Sequence, residues 1–552
     1  MTPASSGTPR TPGSPDLRYG AFSDCGPWKV DPERMVWRRG LAQVRQAVRA
    51  EVPRLVRPRL APPGRRLAAT ARHLGLAVAA WWLVGRRRAA VCGGTPHPGG
   101  DGRRQASVAD LSLRLRRAAE RLGPAYIKLG QIISSGEGVF PEALVAEFKR
   151  CRDQVPPETF AAVRAVVEED LGRPLEAVFS SFDPEPVAAA SIAQVHAAVL
   201  RSGEDVVVKV QRPQVARLVR QDLAVMAWIA PRLVGRIPVA ALANPPALVE
   251  LFAETITEEL DFRLEAENML DLARSFTELG QRAYVVPRPH PTLVTRRVLV
   301  MERLSGFAYD DVAGMRAAGV DTAALVRAGM IGFLEGAILH GIFHGDLHGG
   351  NLFVLSDGRT ALLDFGITGR LEEFRRRAFL RLLMGAMVND VKGQMAALRD
   401  LGALPADTDL DAVIADLGLD RPPVDPTTLS PEELVSEIQR TVKGLLGYGA
   451  RMPKELMLFV KNLVFLDSAI ATLAPDLDLF GEIAHVAAYF ATAHGARIAG
   501  DVGVDPRSQR LDLSGVKASF GVDAGQETLT YRDLQRRRAI IRERLAKRNR
   551  KG

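Results

Sequence analysis

Two neighbouring segments carry the pattern that decides the fold of this chain. Residues 344–351 read HGDLHGGN, and residues 362–366 read LLDFG. Transfer of a γ-phosphoryl group requires metal ions, a carboxylate that orients the attacking hydroxyl or water, and positive charge that neutralises the developing negative charge. Asp346 and Asn351 lie on one predicted loop, and Asp364 follows a short apolar strand. We therefore predict that Asp346 orients the nucleophile and that Asn351 and Asp364 bind Mg²⁺, which prefers hard oxygen ligands.

A simple turn rich in Gly, Asp and Asn between two strands would also contain these letters. The spacing disfavours that interpretation. His344, Asp346 and Asn351 follow the pattern H-x-D-x-x-x-x-N, and an Asp-Phe-Gly tripeptide begins at Asp364. This order and spacing are typical of a kinase catalytic loop followed by a metal-binding loop.

A lysine and two glutamates upstream extend the charge pattern. Lys209 ends the apolar run VVVK at residues 206–209, like the strand that brings a lysine to the α- and β-phosphates of ATP. A lone lysine of this kind is more often a surface residue. Here the helical stretch EELDFRLE at residues 258–265 offers two carboxylate partners, Glu259 and Glu265. A solvated charged helix face is the alternative interpretation of this stretch.

The segment before the lysine strand departs from the usual kinase pattern. A typical kinase has GxGxxGxV there, in which the glycines allow the backbone to approach the phosphates closely. Residues 186–195 instead read PVAAASIAQV. Since alanine restricts positive φ angles, we predict that the nucleotide binds in a different pose, against the loop formed by Ala188, Ala189, Ala190 and Ser191.

Together these motifs resemble the UbiB/AarF (ADCK-like) family of atypical kinases. The resemblance extends from about residue 111 to about residue 500. Further segments that match the family are KLGQ at 128–131, KVQRP at 209–213, ELD at 259–261, MERLSG at 301–306 and DFGITGRL at 364–371. The resemblance implies an α+β, protein-kinase-like bilobal fold with a helical N-terminal extension that carries the KxGQ motif. It also implies ATP or ADP and Mg²⁺ as ligands.

The resemblance implies roles for the KxGQ residues. Lys128 and Gln131 are expected to reach into the active site, with Lys128 near Glu259 or Asp261. The absence of an Ala-Pro-Glu segment after Asp364 argues against a peptide substrate.

The resemblance also implies roles in nucleotide binding. Lys209 is expected to pair with Glu265, with Glu259 as the less favoured partner, and Met301 and Glu302 are expected to contact adenine.

The implied function is ATP hydrolysis, or small-molecule and lipid-linked phosphotransfer, in support of isoprenoid-quinone metabolism at a membrane. The expected partners are a nucleotide and a membrane lipid or a quinone-pathway lipid or protein. A homodimer is left open. Two alternatives are a nucleotide-gated lipid-binding scaffold without turnover and a small-molecule phosphotransferase of the aminoglycoside or choline type. No nucleic-acid partner is expected, since the chain contains no recognised nucleic-acid-binding module.

Composition fits a globular protein of several units. The chain has 552 residues, of which 47% are hydrophobic and 25% are charged, and 73 Lys and Arg residues against 64 Asp and Glu residues give a formal charge of +9. The three cysteines, Cys25, Cys92 and Cys151, have no metal-binding or disulfide spacing. We predict a cytoplasmic protein that associates peripherally with a membrane.

The composition of the two ends and the family resemblance of the middle together divide the chain into five predicted regions. An apolar run with two tryptophans, flanked by arginines, suggests a membrane-interfacial helix near residues 74–90, although a helix packed on the protein itself is the alternative. The regions are a disordered basic region at 1–105, the helical KxGQ extension at 106–175, a kinase-like N-lobe at 176–304, a helical kinase-like C-lobe at 305–500 and a basic tail at 501–552.

Overall fold

A computed structural model gives the fold of the chain. It describes residues 21–551 apart from 24–25, 29–30, 58–61, 92–99, 135–140, 151–155, 234–244, 282, 420–443, 446, 451–452 and several positions between 509 and 524.

Helices and strands are numbered in chain order. The helices are α1 (Leu41–Leu55), α2 (Gly64–Val91), α3 (Gly100–Leu122), α4 (Pro124–Ser134), α5 (Glu142–Phe148), α6 (Phe160–Leu171), α7 (Leu175–Val178), α8 (Val215–Leu233), α9 (Pro245–Glu258), α10 (Phe262–Glu278), α11 (Val312–Ala317), α12 (Thr322–Glu335), α13 (Glu373–Met387), α14 (Val391–Asp400), α15 (Leu410–Leu417), α16 (Lys454–Leu473), α17 (Leu479–Val502) and α18 (Tyr531–Lys551). The strands are β1 (Phe179–Ala189), β2 (Ala193–Leu200), β3 (Asp205–Gln211), β4 (Tyr284–Val285), β5 (Pro289–Val294), β6 (Val298–Glu302), β7 (Phe307–Ala308), β8 (Ile342–His344), β9 (Leu352–Val354), β10 (Thr360–Leu362) and β11 (Thr368–Arg370).

The smaller lobe is built on a five-stranded antiparallel sheet with the strand order β1-β2-β3-β6-β5. In β3, Val206, Val208 and Val210 are buried in the apolar layer that α6 closes. Successive side chains of a strand point to opposite faces, so Lys209 lies on the other face of the sheet. The sheet thereby separates an apolar layer from the face that carries the functional lysine.

The larger lobe is mainly helical, and one face of α16 packs into its core. Phe459 of α16 packs against the rings of Phe333 and Phe379, with ring centroids 5.1 and 4.5 Å apart. Short strands hold the loops of this lobe: β8 pairs with β11, and β4, β10, β9 and β7 form a small sheet. The sheet-based lobe and the helical lobe together give the α+β class that the sequence predicts.

The N-terminal extension consists of helices that pack on both the smaller lobe and one another. Helices α2 and α3 pack together, α3 packs on α4 and α5, and α4 contacts α8 and α9. Gly130 of α4 faces Phe148 of α5 so closely that a Cβ atom would lie 2.3 Å from the Phe148 ring. Glycine at this position therefore allows α5 to pack against the helix that carries Lys128 and Gln131.

Part of the region predicted to be disordered, residues 1–105, lies in helices α1 and α2 and contributes buried residues to the core. Phe22 forms a bridge with Val286 and is fully buried, and Met35 and Leu41 are almost fully buried. The Pro- and Arg-rich composition suggested no core, but single apolar residues of this segment add to the core of the rest of the chain. Residues 1–20 and 92–99 lie outside the described residues.

The helix predicted near residues 74–90 falls within α2. Trp81 faces α3, where its indole Nε1 donates a hydrogen bond to the Ser107 carbonyl oxygen at 2.8 Å. Leu76, Trp82 and Leu83 lie on another side of the helix and are at least half exposed. The two tryptophans therefore differ in environment, and α2 presents an apolar face to solvent.

Two helical segments in the described part of the chain are long and apolar enough to cross a bilayer, by length and composition alone. These segments are Thr322–His340 and Lys454–Leu473. Both belong to the helical lobe, and core helices of globular proteins have the same length and composition. They are therefore weak support for a membrane span.

Replacing Phe22 by alanine tests whether the N-terminal segment is part of the core. We expect the free energy of unfolding to fall by about 3–5 kcal/mol, because a large buried ring is lost and a cavity is left. Phe374 is 63% exposed and serves as the control, since Phe374→Ala should change stability by less than about 0.5 kcal/mol. Chemical denaturation followed by circular dichroism measures both variants, and equal stabilities would contradict the assignment.

Candidate active site

Lys209 reaches the centre of the site from the middle of β3. Its Nζ lies 2.7 Å from Oε1 of Glu265 and 3.3 Å from Oδ1 of Asp364, and its side chain is almost fully buried. Burial acts to lower the pKa of Lys209, but the charges of Asp364 and Glu265 outweigh it and raise the pKa above its ordinary value. Lys209 is therefore a charged lysine held between two carboxylates. Glu265, the partner that the family resemblance favours, is the one observed.

Two neighbouring carboxylates at the start of α10, Asp261 and Glu259, have different partners. The Asp261 carboxylate caps the helix by accepting a hydrogen bond from the Arg263 backbone N–H, and it also pairs with the Arg263 guanidinium at 2.7 Å. Glu259, which lies two residues before Asp261, forms an ion pair with Lys128 instead, with 3.1 Å between Nζ of Lys128 and Oε1 of Glu259. Of the two partners expected for Lys128, the structure thus selects Glu259.

The loop after β8 brings Asp346 to the same place. Lys128 Nζ lies 4.0 Å from Asp346 Oδ2. The side-chain amide of Asn351 donates a hydrogen bond to the Asp346 carbonyl oxygen at 3.2 Å, which closes the loop. Asn351 directly precedes β9 and Asp364 follows β10, and these strands are antiparallel neighbours. Asn351 and Asp364 consequently lie at the same end of the small sheet.

Gly366 allows the Asp-Phe-Gly turn to fit against Glu259. A Cβ atom at Gly366 would lie 3.3 Å from Glu259 Cγ and 3.2 Å from Asp364 Oδ1. The Gly366 backbone N–H donates a hydrogen bond to Asp364 Oδ1 at 2.9 Å. Asn268 of α10 supports the same turn by donating a hydrogen bond from its side-chain amide to the Phe365 carbonyl oxygen at 2.9 Å. The orientation of Asp364 thus depends on a close backbone approach.

Helix α16 contributes two residues that the sequence patterns did not identify. Lys461 Nζ pairs with Asp346 Oδ1, and Asn462 is fully buried beneath the loop. Asn462 accepts a hydrogen bond from the Leu347 backbone N–H at 3.0 Å and donates one to the His344 carbonyl oxygen. The Lys-Asn pair between the apolar runs 456–460 and 463–466 was the available signal. We call the group of Lys128, Lys209, Lys461, Glu259, Glu265, Asp346 and Asp364 the charge cluster.

The two aspartates of the charge cluster are held ionised. Burial acts to raise the pKa of Asp346, but the charges of Lys461 and Lys128 outweigh it and hold the pKa well below its ordinary value. Burial also acts to raise the pKa of Asp364, and there Lys209 and Lys128 lower the pKa more strongly. Both side chains are therefore carboxylates at neutral pH, the form that binds a metal or accepts a proton.

The alanine-rich loop forms the turn between β1 and β2. The Ala190 N–H donates to the Ala193 carbonyl oxygen at 2.8 Å, and the Arg212 guanidinium donates to the Ala190 carbonyl oxygen at 3.0 Å. Ser191 is buried, whereas Ala188 and Ala189 lie at the end of β1. Arg212, which the sequence analysis named only as part of the KVQRP segment, thus holds this loop through the Ala190 carbonyl oxygen.

The remaining predicted nucleotide residues lie outside the charge cluster. Met301 and Glu302 end β6 and are buried. The Glu302 carboxylate bonds the Ser23 hydroxyl and accepts a hydrogen bond from the Arg288 backbone N–H at 3.1 Å. Gln131 is half-buried on α4, three residues after Lys128. The Glu302 side chain therefore bonds the N-terminal segment in the structure. The contacts of Met301 and Glu302 with adenine, and of Gln131 with the active site, remain predictions.

The donor atoms at the end of the small sheet fit Mg²⁺. Asp364 supplies a carboxylate whose side chain is 40% exposed, and Asn351 supplies an amide oxygen. No group of three or more His, Cys, Asp or Glu residues suited to a metal occurs among the described residues. Magnesium commonly uses one or two protein ligands and completes its shell with water and phosphate oxygens, so the donor types of Asn351 and Asp364 suit this ion.

Comparisons with known proteins agree with this geometry. Residues 150–398 match the sequence model of the ABC1 atypical kinase-like domain. The uncharacterised protein Rv0647c of Mycobacterium tuberculosis is 38% identical over 377 residues, which cover 67% of this chain and 76% of that protein.

Two further relatives carry kinase names. An aarF domain-containing protein kinase of Arabidopsis thaliana, described as chloroplastic, is 34% identical over 66% of this chain and 73% of its own length. A probable protein kinase UbiB of Marinobacter nauticus is 33% identical over 66% of this chain and 68% of its own length. The extent of these matches confirms the resemblance noted in the motifs and the kinase-like fold: the chain belongs to the UbiB/AarF family of atypical kinase-like proteins.

Proposed function

We propose that this protein is a Mg²⁺-dependent atypical kinase or ATPase that transfers the γ-phosphoryl group of ATP to water or to a small or lipid-linked hydroxyl compound. The observation that carries the proposal is the charge cluster, in which Lys209 lies 2.7 Å from Glu265 and 3.3 Å from Asp364. Phosphoryl transfer requires positive charge and a bound metal ion. The buried Lys209 provides the charge, and Asp364 beside it is the candidate metal ligand.

We assign a different role in the reaction to each of the following residues. Asp346 accepts the proton of the attacking hydroxyl as the new oxygen–phosphorus bond forms, and the bond to the bridging oxygen of ADP breaks. Lys209 binds the phosphates that remain on ADP, with Glu265 holding its ammonium in place. Asn351 and Asp364 hold Mg²⁺, which neutralises phosphate charge when it is bound.

A second candidate function is a nucleotide-gated scaffold that binds ATP without turnover. One observation favours it: Lys128 lies 3.1 Å from Glu259 and 4.0 Å from Asp346, so the extension places an ammonium group beside the carboxylate that would accept the proton. Nucleotide binding that moves α4 without phosphate release would support this candidate.

We further propose that the protein acts in isoprenoid-quinone metabolism at a membrane surface, from the cytoplasmic side. The resemblance to the family supports the pathway. The exposed apolar face of α2, formed by Leu76, Trp82 and Leu83, supports the membrane contact, because amphipathic helices bury such faces at the headgroup boundary. Arginines at positions 86–88 follow this face in the sequence and suit an anionic surface.

Substituting the aspartates tests the catalytic proposal. We expect Asp346→Asn and Asp364→Asn to lower Mg²⁺-dependent ATP turnover by about 10²–10⁴-fold, because general-base and metal-binding groups contribute effects of this size. Phosphate release and transfer to a hydroxyl acceptor are measured in parallel. Asp357→Asn is the control, since Asp357 lies in the same stretch but pairs with Arg359 away from the site. Turnover that survives both substitutions would exclude the proposed roles.

The Lys209–Glu265 pair gives a second prediction. We expect Glu265→Gln to weaken ATP binding by about tenfold or more, since an ammonium that loses a close carboxylate is held less firmly and a charge-assisted hydrogen bond is lost. Glu267→Gln on the same helix is the matched control, because Glu267 pairs with Arg45 instead. Isothermal titration calorimetry with ATP and Mg²⁺ measures both, and equal affinities would contradict the assignment of Glu265.

Vesicle binding tests the membrane proposal. We expect the double variant Leu76→Ser and Trp82→Ser to bind phosphatidylglycerol vesicles about tenfold or more weakly than the wild type, because two apolar side chains no longer enter the interface. Phe374→Ser removes an equally exposed ring from the helical lobe and should bind like the wild type. Co-sedimentation gives the affinities, and a wild type that does not bind would contradict the proposal.

A further inference from the structure

Asp346 has an ammonium partner on each of its two carboxylate oxygens. Lys128 of α4 lies 4.0 Å from Oδ2, and Lys461 of α16 pairs with Oδ1. Lys128 is closer to Glu259, at 3.1 Å, so Glu259 is its main partner. Lys461 is therefore the closest cation to the carboxylate that receives the proton in the proposed function.

The position of Lys461 is set by the fold. The next residue, Asn462, is fully buried and hydrogen-bonds the backbone of the catalytic loop on both sides of Asp346, at His344 and Leu347. These bonds fix the register of α16 against the loop. The aromatic packing of Phe459 in the core of the lobe holds the same turn of the helix. A lysine anchored in this way differs from a surface lysine that meets an aspartate by chance.

The surroundings of Lys461 leave it room to bind a further anion. Its side chain is 23% exposed, compared with 9% for Lys209 and 12% for Lys128. Lys209 and Lys128 each lie near two carboxylates of the charge cluster, whereas the ion pair of Lys461 is with Asp346. A terminal phosphoryl group brings negative charge to the space beside Asp346, where a cation that borders solvent can follow it.

We propose that Lys461 is a further residue of this site and that its ammonium binds the terminal phosphoryl group of ATP beside Asp346. This inference rests on the proposed function and deepens it, because it assigns a cation beside the carboxylate that accepts the proton. In the structure Lys461 pairs with Asp346. In the loaded site it contacts the phosphoryl oxygens, while Lys209 serves the phosphates that remain on ADP.

The discriminating measurement is the preference for a triphosphate over a diphosphate. Isothermal titration calorimetry with Mg²⁺ compares AMP-PNP, a non-hydrolysable ATP analogue, with ADP. We expect Lys461→Gln to weaken AMP-PNP binding by about 10–100-fold, because a charge-assisted contact is lost, and to change ADP binding by less than about twofold. Lys461→Arg, which keeps the charge, should retain most of the preference. A purely structural role would weaken both nucleotides equally.

Lys454→Gln is the matched control for this experiment. Lys454 lies two helical turns before Lys461 on α16 and pairs with Glu258 at 3.1 Å, away from Asp346. Its substitution should leave the preference for AMP-PNP unchanged. A loss of preference in Lys454→Gln equal to that in Lys461→Gln would overturn the inference, because it would point to a general effect of charge on the helix.

A measurement on the wild-type chain covers the case in which Lys461→Gln does not fold. Labelling with an amine-reactive reagent, followed by mass spectrometry, should show Lys461 protected by AMP-PNP and not by ADP. Equal protection by the two nucleotides, or none, would overturn the inference. If the wild type binds both nucleotides and Lys461→Gln keeps the wild-type preference for AMP-PNP over ADP, this inference alone is overturned. A wild type that binds neither nucleotide overturns the proposed function as well.

Discussion

The structure depends on the mutual neutralisation of lysines and carboxylates in a largely water-excluded centre. An ion removed from water loses several kcal/mol of hydration, and only close ions of opposite charge return this energy. The charge cluster draws on several parts of the chain, which include α4 with Lys128, β3 with Lys209, α16 with Lys461 and the loop after β8 with Asp346. The extension, the sheet lobe and the helical lobe must therefore assemble together for the charges to be paired.

This constraint links the KxGQ helices to the rest of the site. Lys128 is half of an ion pair whose other half, Glu259, is buried just before α10. Moving α4 away would leave that carboxylate without its cation, so the extension is held in place by charge as well as by apolar packing. The same contact puts Lys128 beside Asp346, and any acceptor that reaches Asp346 has to share the space with it.

The sequence was most informative where chemistry is confined to short segments. The motif that contains Asp346 and Asn351 predicted the loop. The strand-and-helix pattern offered Glu259 and Glu265 as partners of Lys209, and the family resemblance favoured Glu265, which is the partner observed. Lys461 and Asn462 were missed because their partners, Asp346 and His344, lie 115 and 118 positions away and no local motif surrounds them. For the N-terminal segment the sequence predicts disorder, because its few apolar residues leave no periodic pattern. In the structure, Phe22 of this segment bridges Val286, far along the chain.

The attachment of the N-terminal segment has a consequence for the order of events during synthesis. Ser23 bonds Glu302, which lies 279 positions later at the end of strand β6. At about 5–20 residues per second, the ribosome needs roughly 14–56 s to produce that partner. During this interval Phe22 and its neighbours have no strand to pack on. The emerging chain thus carries exposed apolar residues for much of its translation, a period in which a chaperone that binds early segments would protect it from aggregation.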